Sequence, residues 1–237
     1  MAKLTLLDVA NLPDDHPALV PDLWARAMLT HPDVSPALRA GALEAVGHPP
    51  VLPAQGELHL TQNHEIVILE HLTNALQDRA FGARAGIWHD PLQRTILTYM
   101  MFSAETLQDI VTLVQRYLPI TRRSSIMRPV RMGRSLRVDF DYALSPLSVH
   151  PEFGDFILGA TLKTIRTVVG PEFSVDWVAV SDPSRHKPGV LEEIYGCPTR
   201  RDLDCFAAQI PNETLDLPIK TADAGLLQHL MSYGDIL

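Results

Sequence analysis

The chain has 237 residues, of which 46% are hydrophobic, 6% aromatic and 20% charged. This is globular composition at a length that suits one large domain or two small ones, and it excludes wholesale disorder, collagen and coiled coil. No stretch approaches about 18 uncharged apolar residues, so no membrane span is expected. The opening, MAKLTLLDVANLPDD, has one lysine, three aspartates and no long apolar core, and is not a secretory signal. Cys197 and Cys205 are too few for a disulfide framework, which points to reduced thiols in a cytoplasmic setting.

The net charge of −8 is unevenly spread. Residues 1–120 carry a net −6, residues 138–237 a net −8, and residues 121–137 hold six arginines and no acid. A chain acidic everywhere except one short window lacks the broad basic face that phosphate neutralisation needs, so nucleic-acid binding by this chain alone is not expected. The window is suited instead to one anionic small molecule or an acidic partner patch.

In chain order, the first 60 residues are punctuated by Pro13, Pro17, Pro21, Pro32, Pro36, Pro49, Pro50 and Pro53. Short helices fit between them, from Asp22 to Leu29 and from Ala37 to Val46, the second started by Pro36 and stopped by Gly47. Thr61 caps a longer helix from Gln62 to Gln77, with Ile66, Leu69, Leu72 and Leu76 on one stripe. Thr95 to Phe102 (TILTYMMF) is apolar throughout and predicts a buried strand. Ser103 then caps a helix to Leu118, whose face of Leu107, Ile110, Val111, Val114, Tyr117 and Leu118 is the cleanest amphipathic pattern in the chain.

A hairpin follows, turned at Met132-Gly133-Arg134-Ser135. Its predicted register sets Arg128 opposite Asp139 and Val130 opposite Arg137, with Leu136, Val138, Phe140 and Tyr142 on one face. Pro151 opens a helix to about Val168. Ser174 to Val180 reads as a strand, Pro188 to Tyr195 as a helix ended by Gly196, Cys205 to Ala208 as a strand and Ala222 to Ser232 as a last helix. The elements lack a regular βαβ rhythm, so the expected class is α+β: a mixed or antiparallel sheet covered by helices. Residues 1–60 are expected to pack as a helical region on the domain formed by 61–237.

No catalytic signature is present: no nucleophile elbow, phosphate-binding glycine loop, dinucleotide fingerprint or zinc-protease helix motif. His64 and His71 are seven residues apart on one helix, too far for a metal pair, and His59 adds no ligand spacing, so no metal site is expected. Cys197 and Cys205 match neither zinc nor redox spacing. Asp202 and Asp204 beside Arg200 and Arg201 read as a solvated turn. Neither a cofactor nor a catalytic residue is expected.

The arginine window carries the only charged anomaly: Arg122, Arg123, Arg128, Arg131, Arg134 and Arg137 fall within 16 residues. One reading is a surface hairpin whose arginines pair with Asp139, Asp141 and other acids. The other is that Arg122, Arg123, Arg128 or Arg131 binds the carboxylate or phosphate of a ligand, since guanidinium forks suit such groups. Tyr99, Tyr117, Tyr142 and Trp177 are candidates to wall such a pocket, with plain core roles as the alternative.

Three strings, in order, resemble the amino-terminal effector domain of AraC/XylS-type transcription regulators, of the arabinose-binding-domain class found in ornithine-utilisation-type regulators. The family's "d..fGlr.g" is matched by Asp78-Arg79-Ala80-Phe81-Gly82-Ala83-Arg84-Ala85-Gly86. Its "s.tL.eal..l.ry..l" is matched by Ser103, Thr106, Leu107, Arg116, Tyr117 and Leu118. Its closing string is matched by Ile194-Tyr195-Gly196-Cys197-Pro198, Phe206, Asn212, Leu215, Leu217, Pro218, Ile219, Asp223, Leu226, Leu227 and Leu230. The similarity runs from about residue 18 to 232.

Two stretches depart from the pattern, Leu92-Gln93-Arg94-Thr95-Ile96-Leu97 and Ser181-Asp182-Pro183, so no family ligand is carried over. Full-length members continue into two helix-turn-helix motifs, and this chain is expected to be a sensor domain without them. The resemblance implies a small-molecule effector, anionic if the arginines hold it, a homodimer seamed by the Ser103–Leu118 helix or the final helix, and contact with DNA only through the C-terminal domain. The runner-up is a stand-alone small-molecule or haem-linked gas sensor, and the third reading an enzyme of unrecognised class.

Overall fold

A computed structural model describes residues 5–237 except residues 10, 11, 14, 15, 17, 55, 93, 94, 172 and 204. Pro17, Gln93, Arg94 and Asp204, named above, therefore lie outside the described residues.

The proline-punctuated region folds as expected, with short helices tied by a two-residue ribbon. Strand β1 (Leu19–Val20) pairs antiparallel with β2 (Leu60–Thr61), and α1 (Leu23–Leu29) and α2 (Pro36–Glu44) lie between them. Pro36 occupies the first turn of α2, and the Ser35 hydroxyl accepts from the Leu38 amide, satisfying one orphan donor. Helix α3 (Gln62–Leu76) starts at Thr61 in a capping box with His64 and ends on Gln77 at φ 53°.

Helix α4 (Phe81–Trp88) has no counterpart among the predicted elements. The predicted strand over 95–102 is a helix, α5 (Ile96–Ser103). The Thr95 hydroxyl accepts from the Thr98 amide, and Leu97, Met100 and Met101 are buried at helical spacing. An eight-residue apolar run has no period that separates a buried strand from a buried helix, and the cap decides it. Ser103 accordingly ends α5 rather than starting the next helix. Thr106 caps α6 (Leu107–Thr121) through a reciprocal box with Asp109.

Strands β3 (Ser125–Met132) and β4 (Ser135–Tyr142) form the predicted hairpin in the predicted register, with Arg128 opposite Asp139 and Val130 opposite Arg137. Gly133 takes φ 63°, the left-handed turn position that a side chain resists. Helix α7 (Pro151–Val169) follows. Then come β5 (Trp177–Ala179), α8 (Val190–Tyr195), β6 (Thr199–Arg200), β7 (Phe206–Pro211), α9 (Asn212–Leu215) and α10 (Ala224–Gly234). The main sheet has the order β3-β4-β7-β5-β6, antiparallel except for the β5–β6 pair. The fold is α+β, with a mixed sheet covered by helices.

One apolar core runs from Ala25 on α1 to Ile219. Helix α7 is its axis. Its N-terminal half crosses the sheet where Gly154 leaves room for the Phe206 ring, which a Cβ would approach to 2.3 Å. Along α4 the two helix backbones meet through Gly82, Gly86 and Gly159. No helix among the described residues is long and apolar enough to cross a membrane.

Candidate ligand-binding site

The apolar stripe of α6 and the inner face of the β3–β4 hairpin do not close completely on the C-terminal half of α7. Between them lies a cavity of about 170 Å3. Helix α6 supplies Leu107, Ile110, Val111, Val114 and Leu118, the side chains of the amphipathic pattern. The sheet contributes Met127, Val138, Phe140, Ala208 and Ile210, and α7 contributes Ile157, Ala160, Thr161, Leu162, Thr164 and Ile165. Helix α5 adds Leu97 and Met101, and Trp24 of α1 closes one wall.

Polar groups are scarce here. Ser125 exchanges hydrogen bonds with the Gln62 amide, and the Thr164 hydroxyl donates to the Ala160 carbonyl at 2.7 Å. Asp141 accepts from the Tyr142 and Leu147 amides and faces Arg128 at 3.6 Å.

Behind the Trp24 wall is a buried ion pair. Arg122 donates to both oxygens of Glu65, at 2.6 and 3.1 Å, and its guanidinium carbon sits 3.4 Å from the Trp24 ring centroid. Burial pushes the Glu65 carboxyl up, and the Arg122 guanidinium pulls against that rise. Trp24 also meets Phe156 edge-to-face at 5.3 Å. The cavity therefore sees the indole and not the guanidinium.

The seven predicted ligand contacts do not converge, and none of them lines the cavity. Arg122 is committed to Glu65. Arg123 is exposed at the turn after α6. Arg128 is exposed beside Asp141, and Arg131, also exposed, donates to Gln108 and Asn212. Tyr99 faces outward on α5. Tyr142 is buried, donating to the Asn63 carbonyl oxygen at 2.6 Å, and burial pushes its phenol up to about 12. Trp177 lies on β5 under the Arg200 guanidinium, 5.1 Å from the ring centroid. Tyr117 donates to Asp235. The reason is geometric: α6 ends at Thr121 and Arg122 turns inward at its cap, while Arg128 and Arg131, three residues apart on the edge strand β3, point to opposite faces and are both exposed.

The cavity-lining residues were legible as core, not as a site, because a residue beside a void and one in solid packing carry the same apolar signal. A second polar cluster was missed as well. Asp155 accepts from His186 at 3.0 Å and, with Glu152, faces Arg185, while the Tyr195 hydroxyl donates to the Asp155 carbonyl. Glu152, Asp155, His186 and Tyr195 are buried and Arg185 is half-buried, but none reaches the cavity. Among the described residues no group of three or more His, Cys, Asp or Glu is placed to hold a metal ion. Among the described residues, Cys197 and Cys205 form no disulfide. Arg200 pairs with Asp202 at the surface, as a solvated turn would.

Comparison with known proteins places this geometry. No curated protein sequence matches the chain significantly. A solved structure, the transcriptional regulator CdpR from Pseudomonas aeruginosa, shares the fold with a TM-score of 0.60 at 16% identity, over 84% of this chain and 60% of that one. The chain thus covers about 60% of that structure's chain. Residues 37–219 match the family model described as the arabinose-binding domain of AraC transcription regulators, N-terminal. Since that match takes in most of the sheet, α7 and the cavity between them, the chain belongs to the arabinose-binding-domain family of AraC transcription regulators.

Proposed function

We propose that this chain is the ligand-sensing and dimer-forming domain of a cytoplasmic AraC-type transcription regulator, with a small-molecule effector held in the cavity between α6, α7 and the sheet. Residues 61–237 form the effector-binding domain, and the helical region 1–60 packs on it and lends Trp24 to the cavity wall. Differential affinity of the effector for two conformers sets the state of a helix-turn-helix domain attached outside this chain. No reaction is assigned to it.

The cavity carries the proposal. Its walls are large apolar side chains that forfeit packing contacts around a void, a loss of stability that a bound molecule offsets. A regulatory site of this kind is concave, mostly apolar and largely preformed. The test is native mass spectrometry of the purified protein with gentle desolvation. The expected result is a retained small molecule, lost when Ala160→Leu fills the cavity. A retained molecule that survives Ala160→Leu contradicts the assignment.

The dimer is supported by α10. Leu227, Met231 and Gly234 face the core, with Gly234 against Met100 and Tyr117. Beside that face, Leu226 and Tyr233 stand seven residues apart on one side of the helix, 45 and 57% exposed, as the ends of a short helix seam would. The apolar face of α6 is spent on the core and cavity, which leaves α10 as the seam. Tyr233→Glu is expected to turn a dimer into a monomer in sedimentation at unchanged melting temperature, and a wild-type monomer at tens of micromolar contradicts the dimer.

A further inference from the structure

The geometry points to a neutral, hydrocarbon-rich effector of about the size of one aromatic ring, and not to a sugar, an amino acid or an anion. This rests on the reading of the cavity as the effector site and names its ligand chemistry.

Size comes first. An engineered apolar cavity of about 150 Å3 in another protein stays dry and takes up benzene; this one has about 170 Å3. Polarity comes second. Ser125, Asp141 and Thr164 already have partners within the protein, as described above. Thr161 alone has a hydroxyl with no hydrogen-bond partner among the described residues, so the lining offers a ligand few polar contacts. A sugar buried there would strand most of its hydroxyls, and each unpaired buried polar group is penalised.

Charge comes third. Among the described residues, the only ionisable side chain on the lining is Asp141, which repels an anion. The one nearby buried cation, Arg122, is screened behind Trp24 and neutralised by Glu65. Met101 and Met127 line the cavity with flexible, polarizable side chains, which lets it adapt to rings or short alkyl chains of similar volume.

The experiment uses the full chain with Trp88→Phe and Trp177→Phe, which leaves Trp24 as the sole indole and a reporter on the cavity wall. Toluene, benzoate and L-arabinose are titrated, with Trp24 emission and melting temperature as readouts. Toluene is expected to give a saturable emission change and a rise in melting temperature. Benzoate, the same ring with a carboxylate, is expected to bind at least about tenfold more weakly, and L-arabinose not at all. Ala160→Leu removes volume and Val138→Thr adds a hydroxyl at constant shape; each is expected to weaken toluene by about tenfold or more.

Because ligand-free melting is recorded for both variants, a folding defect in one leaves the other decisive. Benzoate or arabinose binding as tightly as toluene, and lost in the variants, overturns the ligand class but keeps the cavity as the site. Toluene binding that both variants leave unchanged overturns the ligand class and the site together. Absence of any toluene response up to its solubility limit overturns the ligand class.

Discussion

Helix α7 meets α4 along one side and the cavity along the other, and the two contacts are made differently. Against α4 the backbones themselves approach at three glycines. A Cβ on Gly82 would lie 2.2 Å from the Glu152 carbonyl oxygen, one on Gly86 2.4 Å from that of Phe156, and one on Gly159 2.7 Å from that of Ala83. Such a seam has no rotamers to adjust and is fixed by the backbones themselves. On the cavity side, Ile157, Ala160 and Ile165 face α6 and the hairpin across an unfilled volume, where side chains can shift. The contrast assigns a rigid half and a deformable half to one helix, and a ligand does its work where the protein can change.

The largest expected effect comes from breaking the rigid seam. Gly86→Ala forces α4 and α7 apart and should destabilise by about 3 kcal/mol or more in urea denaturation, since neither backbone can yield as a side chain would. In an exposed helix the same change stabilises by about 1 kcal/mol, so the sign alone is informative.

Removing Arg122 strikes the boundary between the halves. Arg122→Met leaves Glu65 buried without its cation and should cost about 3–5 kcal/mol at neutral pH. Because burial already pushes the Glu65 carboxyl up, the variant should recover part of that loss on acidification, as the carboxyl takes up a proton. A loss under about 1 kcal/mol would mean that solvent reaches the pair.

Acid should act on the helical side. Burial holds His64 on α3 and His89 at the end of α4 down to about 4, against about 6.5 in an unfolded chain. Between those values the unfolded chain binds protons that the folded one refuses, so stability falls as pH drops through that window. The two together should lose about 3 kcal/mol between pH 7 and pH 5. Urea midpoints of the wild type and of His89→Gln at both pH values check this; equal pH dependence contradicts it. The smallest effect belongs to the hairpin surface: Arg128→Ala breaks an exposed 3.6 Å contact with Asp141 and should cost less than about 1 kcal/mol in the same assay.

These two halves were not equally legible in the sequence. The hairpin register followed from one glycine turn and strict alternation, and α7 from Pro151 and a clean period. Helix α5 was misread because its apolar run has no dominant face. Helix α4 was matched only as a family string, since glycines inside a helix look like breakers until the partner backbone that requires them is known. The arginine window was the most visible feature and proved to be dispersed by the turn after α6. The cavity left no mark of its own, because a void is a property of how core residues fail to meet.

Hydrogen exchange with and without toluene tests the division most directly. Slowed exchange in α6, the β3–β4 hairpin and the C-terminal half of α7, with α4 unchanged, is the predicted result. Slowed exchange confined to α4, with none around the cavity, would contradict it.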